Sequence, residues 1–102
     1  MAFVKVANVH ELPPGKAKPV TVGTRRLALI HAGEQFYALE DTCPHKGAPL
    51  SEGDVEGTEL VCPWHAAAFD LATGAHLCPP AQRGVATFPV RVVGDAVEVD
   101  VG

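Results

Sequence analysis

The sequence has no apolar run that approaches the length of a membrane span, and Met1 to His10 holds no apolar stretch long enough for a signal peptide. A cytoplasmic protein without a membrane role is therefore expected. It has no basic cluster either: eight Lys and Arg stand against twelve Asp and Glu, a net charge of −4. A phosphate-backbone footprint is absent, which argues against nucleic-acid binding. The three cysteines are an odd number and cannot all pair within the chain. A disulfide framework is thus a poor explanation of them. Also missing are a phosphate loop, a nucleophile with its base, and room for a substrate-sized catalytic module, so an enzyme is not expected.

What is present suits one packed domain over residues 1–102, since 47% of residues are hydrophobic and 20% charged. Short runs rich in Val, Leu, Phe and Tyr alternate with turn formers, the pattern of strands. Strands are expected over Phe3 to Ala7, Pro19 to Val22, Arg25 to His31 and Gln35 to Leu39. At the other end, Pro89 to Val93 and Ala96 to Val101 flank Gly94-Asp95 and should form a hairpin. There Val97, Val99 and Val101 alternate with Glu98 and Asp100, which predicts one buried and one wet face. Between these β regions, Asp41 to Gln82 holds five of the nine prolines, four of the ten glycines and every cysteine. It reads as a loop-rich lobe inserted into a β framework, with the Ala66-Ala67-Ala68 run too short for a helix.

The chemistry is concentrated in that lobe. Cys43-Pro44-His45 is a C-x-H unit, Cys62-Pro63-Trp64-His65 is a C-x-x-H unit, and sixteen residues separate His45 from Cys62. Thiolates with imidazoles select zinc or iron-sulfur chemistry over oxygen-loving ions. A mononuclear zinc site usually separates paired ligands by two to four residues, roughly, which the tight C-x-H unit does not. A binuclear cluster accommodates it, because each unit can give its Cys to one iron and its His to the other.

The surroundings of these ligands carry a resemblance. Asp41-Thr42-Cys43-Pro44-His45-Lys46-Gly47-Ala48-Pro49-Leu50, followed by Cys62-Pro63-Trp64-His65, resembles the two cluster-binding loops of the Rieske family. Phe69-Asp70-Leu71-Ala72-Thr73-Gly74 and Cys78-Pro79-Pro80 are similar to the continuation in ferredoxins of bacterial aromatic-ring dioxygenases. The resemblance implies an all-β fold, an antiparallel sandwich with a small cluster-binding lobe over about 41–82. It also implies one 2Fe-2S cluster held by Cys43 and Cys62 on one iron and His45 and His65 on the other.

The implied function is that of a soluble one-electron carrier, the non-catalytic component of an oxygenase system. Its implied partners are an NAD(P)H-dependent flavoprotein reductase and a terminal oxygenase, and a monomer is expected. The small subunit of an assimilatory nitrite reductase and a structural zinc module are the alternatives. High-potential members of the family carry an extra disulfide where this chain has Ala48 and Trp64, and hydroxyls where it has Ala67 and Phe69. Without hydrogen bonds from those hydroxyls to sulfur, the potential is expected near the low end of the family window, about −150 mV. Lys46 is a candidate docking residue by position, and Trp64 a candidate shield of the cluster. Cys78 reads as a small packed thiol, and His10, His31 and His76 carry no assigned chemistry.

Overall fold

The computed structural model describes residues 3–41, 49–62, 68–75 and 85–101. Among them are ten strands and two single 3-10 turns, all strand pairings being antiparallel. Strands β1 (Phe3–Asn8), β9 (Val90–Val93) and β10 (Ala96–Asp100) form one sheet in the order β1-β10-β9. A second runs β2 (Lys16–Val22), β3 (Arg25–Ala32), β4 (Gln35–Glu40) and β8 (Thr87–Phe88). The third, inside the lobe, consists of β5 (Asp54–Glu56), β6 (Glu59–Val61) and β7 (Ala68–Asp70).

The four-stranded sheet is the middle layer, and its sequence explains why. Successive side chains of a strand point to opposite faces. In β3, Leu27 and Leu29 enter one apolar cluster with Val20, Ala38, Val97 and Val99. Ala28, Ile30 and Ala32 enter the other, with Leu39, Leu50, Leu60, Cys62, Phe69 and Leu71. The unbroken apolar run Leu27 to Ile30 is thus a strand buried on both faces. Each fully buried Leu or Ile contributes about 1.5–3 kcal/mol over an exposed one.

The strand expectations hold for the framework, and the structure adds details that composition conceals. Gly94-Asp95 joins β9 to β10 as a hairpin, with Val93 opposite Ala96 and Val90 opposite Val99. The segment expected as Pro89 to Val93 is divided. Thr87 and Phe88 pair with β4 while Val90 to Val93 pair with β10, and Pro89, lacking an N–H to give to a ladder, sits where the chain changes sheets. Val97 and Val99 are fully buried as expected, but Asp100 is buried too. The β9–β10 ladder runs on to this end of the strand, with the Asp100 N–H donating to Pro89 O at 3.0 Å. The lobe is also less irregular than expected, since Gly57-Thr58 turns β5 back onto β6.

Ahead of β2, the 3-10 turn Val9–Glu11 is closed by the Asn8 N–H donating to Glu11 Oε1 at 2.6 Å. That bond holds the Glu11 carboxyl below its usual range, and the charges of Lys18, His10 and Lys5 act in the same direction. A depressed folded-state pKa adds stability above the unfolded value and loses it as pH falls through the lowered one. Glu11→Gln keeps an acceptor but removes the charge. Its urea midpoint should lie slightly below that of the parent at neutral pH, and the two should converge in acid below the lowered Glu11 pKa.

Candidate metal centre

Of the four expected ligands, the described residues include Cys62; Cys43, His45 and His65 lie outside them. Cys62 directly follows β6 and is 1% exposed, within the cluster formed by Leu50, Leu60, Phe69, Leu71 and the lobe-facing side chains of β3 and β4. A soft sulfur in an apolar shell suits a metal ligand whose surroundings exclude water. Ser51, just beyond the first ligand unit, is also buried, and its Oγ has no hydrogen-bond partner among the described residues. An unsatisfied buried hydroxyl is costly. A donor set of thiols and imidazoles, one thiol held in a dry core, fits an iron-sulfur group.

The framework brings together the chain on either side of the segments that carry the expected ligands. Residues flanking Cys43 and His45 meet where the Leu50 N–H donates to Asp41 O at 3.2 Å and the Ser51 N–H to Asp41 Oδ1 at 2.6 Å. Residues flanking His65 meet across the β6–β7 ladder, where Val61 opposes Ala68. The two places adjoin. Gly53, closing the 3-10 turn Leu50–Glu52, lies so close to β6 that a Cβ there would stand 2.3 Å from Val61 O. The exit from the first ligand unit is therefore packed on the strand that delivers Cys62.

Past β7 the chain is fixed again. Asp70 Oδ1 accepts from the Ala72 and Thr73 N–H groups at 2.8 and 3.1 Å, and the Gly74 N–H donates to Asp70 O at 2.7 Å. Gly74 adopts φ +76°, and a Cβ on it would meet Val85 O at 2.1 Å. Only glycine permits both that backbone and that approach. The Val85 N–H in turn donates to Gly74 O at 2.8 Å, so the ends of the 76–84 segment are joined. On the other side of that junction, the Glu40 side chain accepts the Ala86 N–H at 2.8 Å.

Phe69 is fully buried and presents no hydroxyl, as its residue type requires. Ala67, Lys46, Ala48, Trp64, His76 and Cys78 lie outside the described residues. His10 is exposed, whereas His31 is structural: its ring stacks on Phe36 at 4.0 Å, and Nδ1 donates to Leu12 O at 2.7 Å. Asp41, Ser51 and Gly53 have no role that the sequence alone assigns. Their proximity to the C-x-H unit was the available signal, but their partners are distant in sequence. An open cleft of about 430 Å³ is lined by Tyr37, Leu71, Thr87 and Phe88 among others, and Cys62 is not among its described lining residues.

Gly53→Ala forces a methyl group into the Val61 carbonyl, though its φ of −77° is ordinary for any residue. Overpacking of this kind costs about 1–3 kcal/mol. Urea denaturation of the holoprotein should show a loss of that size.

The Rieske [2Fe-2S] domain family matches residues 2–89. The ferredoxin component of a naphthalene 1,2-dioxygenase system from Pseudomonas aeruginosa is 36% identical over 98 residues, covering 96% of this chain and 94% of its own. Among solved structures, the ferredoxin of carbazole 1,9a-dioxygenase from Nocardioides aromaticivorans superposes with a TM-score of 0.92 at 30% identity, over 97% of both chains. A complex of reduced oxygenase and oxidised ferredoxin in carbazole 1,9a-dioxygenase contains a chain that superposes with a TM-score of 0.88 at 39% identity, covering 95% of this chain and 91% of that one. Family match, two-way coverage and the buried Cys62 agree, and this chain belongs to the Rieske [2Fe-2S] family, with one Rieske-type cluster as its cofactor.

Proposed function

We propose that the chain is the one-electron carrier of a multicomponent oxygenase system, accepting electrons from an NAD(P)H-dependent flavoprotein reductase and delivering them to a terminal oxygenase. The observation that carries this reading is the near-complete two-way match to separate ferredoxin chains, one of them solved in complex with its oxygenase. Residues 1–102 act as one domain, with the lobe at about 41–82, and work as a monomer in the cytoplasm. Among the described residues no helix is long and apolar enough to cross a membrane, in keeping with a carrier that diffuses between partners.

In this reading Cys43 and Cys62 hold one iron, and His45 and His65 hold the other. The bound cluster supplies a one-electron couple. The protein's own contribution is positional. Leu50, Leu60 and Phe69 keep water from Cys62, and the Asp41 and Gly53 contacts hold the approaches to both ligand units against one another.

The purified protein should contain about two irons and two acid-labile sulfides per chain. Ser in place of Cys43 or Cys62, or Ala in place of His45 or His65, should abolish the visible absorption of the oxidised cluster. A colourless parent protein with one zinc would overturn the assignment. Reduction of the oxygenase by the carrier, and of the carrier by the reductase, followed by stopped-flow absorbance, tests the placement between them.

The potential provides a separate check. Two thiolates and two neutral imidazoles leave the oxidised core less negative than four thiolates do, which raises it above the roughly −400 mV of plant-type clusters. Neither Ala67 nor the buried Phe69 can donate a hydroxyl hydrogen bond to sulfur. Voltammetry should therefore give a midpoint of about −150 mV, at the low end of the Rieske range.

A further inference from the structure

Asp41 follows β4 and is the last described residue before the unit that carries Cys43 and His45; its side chain is fully buried. One carboxylate oxygen accepts the Ser51 N–H at 2.6 Å, and the other accepts Arg26 Nε. The main chain repeats the arrangement, because Asp41 O accepts the Leu50 N–H at 3.2 Å and the Asp41 N–H donates to Arg26 O at 3.3 Å. Two of these four bonds reach residues just past the ligand unit, and two reach the core strand β3. One residue thus joins the described chain on either side of residues 42–48 and fastens both sides to the middle sheet.

An ion pair with its carboxylate buried is a weak device for stability, since desolvation of that carboxylate offsets much of the attraction. Its attested use is to fix one geometry among several. Arg26 is largely exposed on its own account, so it would be solvated without Asp41. The carboxylate would not be solvated without Arg26 and Ser51.

We propose that Asp41 is a positioning residue for the cluster: by bridging the Ser51 N–H and the Arg26 guanidinium, it fixes where the Cys43–His45 unit begins and ends and so holds the two ligands in one geometry. The inference rests on the ligand assignment proposed above. It assigns the Asp41 carboxylate no contact with the cluster.

The test compares Asp41→Ala and Asp41→Asn with Val97→Ala, a truncation in the opposite core. Three quantities are read on each holoprotein: the rate of iron loss to a chelator without denaturant, the g values of the reduced cluster, and the urea midpoint. Asp41→Ala should lose iron about tenfold faster than the parent and show displaced or broadened g values. Asp41→Asn can still accept the Ser51 N–H and should fall between the two. Val97→Ala should lower the urea midpoint while keeping the parental g values and iron-loss rate. Parental g values in both Asp41 variants, with iron loss no faster than in Val97→Ala, would overturn the proposal and leave Asp41 a structural residue. If Asp41→Ala does not fold, the same criterion applies to Asp41→Asn. A parent without an iron-sulfur signal would instead refute the ligand assignment, and the proposal with it.

Discussion

Both faces of the four-stranded sheet are buried, and the rest of the molecule is arranged around that requirement. Leu27 and Leu29 need cover on one side, Ala28 and Ile30 on the other. The first is covered by β10, whose Val97 and Val99 face the sheet, and the second by the lobe, through Leu50, Leu60 and Phe69. Cys62 belongs to this second cluster. The lobe is therefore not an appendage that could shift independently of the sheet. Any displacement large enough to move Cys62 would expose the lobe-facing side chains of β3, which close packing resists.

The division of the core also explains which features could be read in the sequence. Strands β3 and β4 are legible because a run such as Leu27-Ala28-Leu29-Ile30 is too apolar for a surface, and Gly23-Thr24 and Gly33-Glu34 mark its ends. The β9–β10 hairpin is legible from Val97, Val99 and Gly94-Asp95 for similar reasons. Strands β5, β6 and β7 are three residues each, too short for a period to emerge. Of their nine residues, Leu60, Ala68 and Phe69 are buried, and the rest look like loop. Asp100 departs from the alternation itself: the period places it with Glu98 on the wet face, yet it is buried.

For the metal centre, the pairing of a C-x-H with a C-x-x-H unit suggests a binuclear cluster before any fold is known, because ligand spacing is a local property. What holds the chain beside those expected ligands is not local. Asp41 reaches Arg26 across fifteen residues and Ser51 across ten, and Gly53 meets Val61 through backbone contact alone. No periodicity or motif encodes such meetings. Only the folded register of β3 beside β4, and of β5 beside β6, brings them about.

Polar and apolar interactions consequently divide the work. Apolar burial between the layers supplies the stability that a chain of this size requires. The polar contacts around the lobe are placed at the ends of segments: Asp41 with Leu50 and Ser51, Asp70 with Ala72 and Thr73, Gly74 with Val85, and Glu40 with Ala86. Fixing a segment by its ends limits the entropy the segment retains, whatever its own sequence. This suits an electron carrier for a physical reason. The cluster must present nearly the same ligand geometry in two charge states, since any rearrangement between them adds to the barrier for transfer. The described residues that flank the expected ligand units, Asp41 with Leu50 and Ser51 and Val61 with Ala68, are tied to one another by such contacts and packed against that sheet. The fixed positions of these flanking residues therefore follow from the same burial that makes β3 apolar on both sides.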